Sequence, residues 1–242
     1  MSQTARRLLL ISNSTTYGRD FLDHVEPDLK EMFGTTRRIL FIPYALYDRA
    51  AYTAKARARL AAMGYPLDSI HEAPCPARAV EGAEALFVGG GNTFRLLKAL
   101  YEAEVLDPIR RRVAQGIPFV GSSAGSIVAG PSLKTTKDMP IVQPPSFEAL
   151  GLVRFQISPH YLDPDPHSTH MGETQEERIL QFLEENDAPV VGLREGSWLV
   201  VEENSTRLKG RTGARVFRRG FDPVEVQPGA TLDPYIHLTG LS

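Results

Sequence analysis

The chain has 242 residues, 42% of them apolar and 23% charged, and a formal net charge of -2. That length supports one sizeable core or two small domains, and the near-neutral balance gives no sign of a nucleic-acid or membrane partner. One cysteine, Cys75, excludes an intrachain disulfide framework and a multi-cysteine metal site.

The first apolar run, Leu8 to Ile11, is too short for a secretory core, and no apolar stretch approaches a membrane span. The expected location is the cytoplasm.

Arg6 to Ser14 reads as a buried strand ending in polar turn residues. Phe21 to Phe33 has near-helical apolar spacing, interrupted by Pro27. Arg38 to Pro43 is the next strand. Asp48 to Met63 is an Ala-rich helix that Gly64 can close, and residues 65–71 suit a short strand. Ala83 to Val88 is a strand running into Gly89-Gly90-Gly91-Asn92. Helices follow through Phe94 to Leu100 and Leu106 to Ala114.

Ile117 to Ser122 is another buried strand, and residues 131–172 read as polar loops with a short strand ending near His160. Glu173 to Glu185 is helical and Val190 to Leu193 extended. Short alternating segments from Trp198 to Val226 suggest an antiparallel meander. Strand alternating with helix predicts an α/β fold, a mostly parallel central sheet flanked by helices, with short antiparallel strands at the C-terminal end. No linker divides residues 1–242, so one domain is expected.

The chemistry centres on Gly121-Ser122-Ser123-Ala124-Gly125. A Gly-x-Ser-x-Gly run between a buried strand and a helix is the pattern of a nucleophile elbow, which pushes the serine out over the sheet. The plainer reading is a strand–helix turn with a capping serine.

A nucleophilic serine needs a base, and the base needs an orienting group. His160 follows a strand, where sites of open α/β sheets gather. His167 and His170 lie in a neighbouring polar loop, while His24, His71 and His237 read as structural or solvated. Asp138 and Glu195 compete to orient the imidazole, and each is equally readable as a turn former or surface charge. Gly90, Gly91 and the amide of Ala124 suit an oxyanion hole, with Asn92 available for the polar end of a substrate. The glycine run lacks the spacing of a dinucleotide or P-loop phosphate cradle.

Taken together, these segments resemble the S51 serine peptidase family, whose type activity is α-aspartyl dipeptidase. The matching blocks include Leu10 to Thr15, Phe41 to Pro43, Val88 to Phe94, Ser123 to Gly125, Thr135-Thr136 and Asp138 to Val142. Pro159-His160, Gly172 to Thr174 and Glu195-Gly196-Ser197-Trp198 complete them. The resemblance implies a sandwich like that of class I glutamine amidotransferases, with serine in place of their cysteine.

It further implies Ser123 as nucleophile and His160 as base. Glu195 is preferred over Asp138 as the imidazole's partner because it follows a strand directly. The expected substrates are small peptides with a free N-terminal aspartate, handled by a monomer or homodimer without metal or organic cofactor.

One segment departs from the pattern. The family's Gly-Glu-Thr-Arg reads Gly172-Glu173-Thr174-Gln175 here. A fork-shaped arginine suits a substrate carboxylate, and its loss removes about 1.5–3 kcal/mol of charge-assisted contact. The loop at 162–172, with Pro164, Asp165 and Pro166, also departs. Relaxed or cyanophycinase-like specificity is therefore the rival within the family. A non-catalytic binding protein on the same scaffold and a nucleotide-binding module are the rivals outside it.

Overall fold

The structure, a computed structural model, describes residues 6–169 and 171–237, so His170 lies outside the described residues. Strands β1 (Arg7–Ile11), β2 (Ile39–Ile42), β3 (Leu67–Ser69), β4 (Ala85–Val88) and β5 (Phe119–Ser122) pair in parallel. Their order is β3-β2-β4-β5-β1. β1, β2, β4 and β5 are almost continuously apolar because both faces of the sheet are covered.

The two-residue period divides them cleanly. Leu9, Ile11, Ile39, Phe41 and Phe87 face one core with helices α1 (Glu26–Phe33) and α2 (Arg49–Ala62). Leu8, Leu10, Leu40, Ile42 and Val88 face the other. This second core takes in α3 (Pro76–Glu81), α4 (Thr93–Glu102), α5 (Leu106–Ala114) and α6 (Ala124–Ile127).

Pro27 does not break its helix. It occupies the first turn of α1, where an amide would be unpaired in any case.

The C-terminal third departs from a simple meander. β6 (Gln156–Pro159) and β7 (Val190–Leu193) pair in parallel, away from the main sheet, on either side in sequence of α7 (Gln175–Glu185). β8 (Ser197–Glu202) returns to the main sheet antiparallel to β1, and β9 (Ser205–Gly210) extends that edge. β10 (Ala214–Arg218) and β11 (Phe221–Val226) complete a separate four-stranded sheet, β11-β10-β7-β6. The short helix α8 (Asp233–Ile236) closes the described chain. β6 and β7 are buried throughout while β9 alternates, and both kinds of pattern occur in either sheet, so the pattern alone could not assign the strands to one sheet or two.

β1 and β5 end side by side, with Ile11 opposite Ser122. The turns leaving β6 and β7 meet them there. The seam between the two sheets is where the candidate site lies. Among the described residues no helix is long and apolar enough to cross a membrane.

Candidate active site

Ser123 stands between β5 and α6 with φ 51° and ψ −110°, a backbone conformation that costs a non-glycine residue about 1–3 kcal/mol. The surroundings enforce it. The Ser123 amide donates to Ile11 O at 2.9 Å, and the buried Ser126 hydroxyl lies 2.8 Å from Ile11 O and 2.9 Å from Gly121 O. At Gly125 a Cβ would collide with the Val88 carbonyl, so only glycine lets α6 start this close to β4. The hydroxyl is therefore held proud of the sheet instead of capping the helix, for Ser123 makes no side-chain cap hydrogen bond.

His160 also has a positive φ, 52°, immediately after β6. Its amide donates to Ser12 Oγ at 2.9 Å, and the buried Ser12 hydroxyl donates to Leu193 O at 2.8 Å. One side chain at the end of β1 thus fastens the turns leaving β6 and β7. The imidazole Nε2 lies 2.9 Å from Ser123 Oγ, and Nδ1 lies 2.6 Å from Glu195 Oε1. An ionised carboxylate only accepts, so Nδ1 carries the proton and Nε2 offers its lone pair to the serine.

Glu195 sits in the turn from β7 to β8. Asn13 Oδ1 accepts from Gly196 N at 2.8 Å, and Thr212 Oγ1 donates to Glu195 O at 2.5 Å.

The second acid lies elsewhere. Asp138 Oδ2 accepts from Thr93 N and Thr93 Oγ1, both at 2.6 Å, and makes no hydrogen bond to His160. Thr93 opens α4, so this carboxylate sits on a helix N-terminus, where the backbone dipoles favour negative charge. Asn92 likewise departs from a substrate contact. Its Oδ1 caps α4 by accepting from Arg95 N at 3.0 Å, and its Nδ2 donates to Met139 O at 2.9 Å. Asp138 and Asn92 together clamp the Gly-rich turn to the loop at 136–139.

Gly90 is not a free oxyanion donor. Its amide donates to Tyr52 Oη at 2.9 Å, and burial raises that phenol to about 12, so it stays a neutral hydroxyl. Gly91, at φ 137°, keeps an amide without a hydrogen-bond partner among the described residues. The Ala124 amide opens α6 and has no carbonyl one turn behind it. Gly91 and Ala124 are the amides left for a developing oxyanion.

Gln175 is engaged with backbone. Its Oε1 accepts from Leu162 N at 2.9 Å, and its Nε2 lies 3.3 Å from His160 O as donor. It braces the loop after β6 and does not present a free amide to a ligand. Lys137 Nζ donates to the same His160 carbonyl at 2.9 Å. Arg178 reaches Glu173 at 3.6 Å.

The other described histidines are remote from Ser123 in their contacts. His24 packs edge-on against Trp198, His71 Nδ1 is 2.7 Å from Ser69 Oγ, and His237 Nε2 is 2.9 Å from Asn204 O. His167 lies in the exposed loop, its amide donating to Asp165.

Sequence reasoning left Ser12, Asn13, Tyr52, Thr212 and Lys137 without roles. For Ser12 and Asn13 a signal existed, since two polar residues closing an apolar strand at a sheet edge are positioned to fasten adjoining turns. Ser12→Ala leaves the His160 amide unpaired and leaves the Leu193 carbonyl with the Tyr161 amide alone, at 3.1 Å, an expected destabilisation of about 1–3 kcal/mol. It should also lower kcat about tenfold or more, because a small misplacement of the imidazole is costly. Urea denaturation and steady-state kinetics on the same preparation check both. Unchanged values in both would remove Ser12 from the site's scaffold.

Asp138→Asn makes a different expectation. It weakens the clamp on α4 by about 1–2 kcal/mol, so the thermal midpoint and kcat should fall together, through the Gly91 turn. A fall in kcat with no change in midpoint would contradict that reading.

A hydroxyl, an imidazole and a carboxylate in one hydrogen-bonded line, at the carboxyl edge of a parallel sheet, define the serine-hydrolase arrangement. Residues 8–209 match Peptidase family S51, and the chain belongs to that family. Peptidase E of Streptomyces coelicolor is 52% identical over 96% of this chain and 96% of its own. A Drosophila melanogaster protein named as a probable alpha-aspartyl dipeptidase is 46% identical over 95% of this chain and 97% of its own. The crystal structure of a peptidase from an acI-B1 actinobacterium shares the fold, with a TM-score of 0.69 at 15% identity over 95% of this chain and 96% of that one.

Proposed function

We propose that this protein is a serine-type dipeptidase that removes an unblocked N-terminal aspartate from short peptides. The observation carrying the reading is the continuous line Ser123 Oγ–His160 Nε2 at 2.9 Å and His160 Nδ1–Glu195 Oε1 at 2.6 Å. The name of the Drosophila relative, a probable alpha-aspartyl dipeptidase, supports the substrate class. The single cysteine fits a reducing cytoplasm as the place of action.

Ser123 attacks the peptide carbonyl while His160 Nε2 takes its proton. Glu195 holds the Nδ1 proton and stabilises the imidazolium that forms. The amides of Gly91 and Ala124 donate to the tetrahedral oxyanion, and one such donor is worth about 3–4 kcal/mol in related chemistry. His160 then protonates the leaving amine. Water, activated by the same imidazole, hydrolyses the acyl-enzyme.

The test is a panel of Asp-Leu, Glu-Leu, Asn-Leu, Ala-Leu and N-acetyl-Asp-Leu. Asp-Leu should be the preferred substrate, and acetylation should abolish its turnover. Equal turnover of the four free dipeptides would replace the aspartyl reading with a broad dipeptidase. No turnover of any would overturn the enzyme reading.

A further inference from the structure

We propose that Lys137 is the residue that selects the N-terminal aspartate, its ammonium pairing with the substrate's side-chain carboxylate. This rests on the dipeptidase reading above and deepens it.

Recognition of an acid demands a cation with charge to spare, and the cations around the seam differ in that respect. Arg194 lies 2.7 Å from Asp163 and 2.6 Å from Glu225, so its fork is saturated. Arg178 faces Glu173 at 3.6 Å. Arg95 leans toward Ala45 O at 3.4 Å and over the Tyr47 ring. Gln175 is neutral, and its amide serves the backbone of His160 and Leu162.

Lys137 is different. Its hydrogen bond runs to a neutral group, the His160 carbonyl, at 2.9 Å. No carboxylate lies within ion-pair distance of it among the described residues. An ammonium has three donors, so two remain for a ligand.

The position is equally specific. The residue whose carbonyl holds Lys137 is the one whose ring touches Ser123 Oγ. In an aspartyl substrate the side-chain carboxyl carbon is three bonds from the carbon that Ser123 attacks. A cation tethered to the neighbouring histidine's main chain suits so short an acid.

The side chain is exposed by area, yet its ammonium is crowded enough that desolvation lowers its pKa. Arg178 adds to the fall, and Asp138 and Glu195 oppose it. Asp138 and Glu195 act on the ammonium from a distance, but Glu195 is hydrogen-bonded to His160 and Asp138 to Thr93, so neither caps it directly and an incoming carboxylate can.

The experiment compares kcat/KM for Asp-Leu, Asn-Leu and Ala-Leu in the wild type, Lys137→Met and Lys137→Arg. Asn-Leu keeps the shape of Asp-Leu and removes the charge. In Lys137→Met the Asp-Leu to Asn-Leu ratio should fall about ten- to a hundredfold, the size of one charge-assisted contact. Lys137→Arg should keep most of the ratio. A thermal midpoint for each variant establishes that it is folded, and Lys137→Gln serves if the methionine variant is not.

Equal losses on all three substrates would overturn the proposal, since they are the mark of a residue that merely positions His160. An unchanged ratio in a wild type that prefers Asp-Leu would overturn it too, while leaving the dipeptidase reading intact. A wild type that turns over all three substrates without Asp preference would remove both this proposal and the aspartyl specificity, leaving a broad dipeptidase.

Discussion

Ser123→Ala is expected to lower kcat on Asp-Leu by about 10⁴-fold or more, because removing a triad nucleophile leaves only binding and oxyanion stabilisation. Among the described residues the hydroxyl has one hydrogen-bond partner, His160 Nε2 at 2.9 Å, so its loss unties no other contact there. The thermal midpoint should stay close to the wild type. Ser123→Gly should go further. It removes the nucleophile and also relaxes the φ 51°, ψ −110° turn, which costs an L-residue about 1–3 kcal/mol. The glycine variant should therefore be inactive and more stable than the alanine variant. Steady-state kinetics, labelling by a fluorophosphonate and calorimetry on the three proteins check this. Retained turnover or retained labelling in the alanine variant would eliminate Ser123 as nucleophile.

Glu195→Gln should have the second largest effect, a loss in kcat of about 10²–10³-fold. The amide either accepts from Nδ1–H without charge or turns its NH2 toward Nδ1, which moves the ring proton to Nε2 and blocks proton abstraction. In a triad whose acid is buried, that exchange costs about 10⁴-fold. Here the Glu195 side chain is 54% exposed, and solvent screens part of the field, so the smaller figure is expected. The thermal midpoint should hardly move, in contrast to Asp138→Asn. Crossed results, with Glu195→Gln unstable but active, would exchange the roles assigned to the two acids. The measurement is a kcat and midpoint pair for each variant.

The parallel half of the fold was readable because its strands are bare apolar runs between helices of clear period. Residues 8–11 of β1 and all of Ile39–Ile42, Ala85–Val88 and Phe119–Ser122 are buried without a break. The elbow was readable for a related reason, since Gly121 and Gly125 mark a backbone approach that no other residue permits. Helix α3 (Pro76–Glu81) went unread. It is six residues long, with Val80 as its one buried residue, too short to show a period.

The choice between Asp138 and Glu195 was beyond spacing alone. Each is a turn carboxylate, and what separates them is which partner stands within reach, Thr93 or His160. The same limit applied to Gly90 and Gly91. Adjacent glycines look identical in a sequence, yet one amide is taken by a tyrosine that precedes it by 38 positions. Asn92 reads in the sequence as a polar group available to a substrate. The structure has it as the cap.

The division of labour between two sheets has a consequence for the newborn chain. The hydroxyl arrives on β5, while its imidazole and carboxylate come from turns 37 and 72 positions later, the second of these from subtracting 123 from 195. On the proposed mechanism, a ribosome-bound fragment holding only the first five strands carries an unarmed serine, and it is armed only once β6 and β7 have docked and Ser12 fastens their turns.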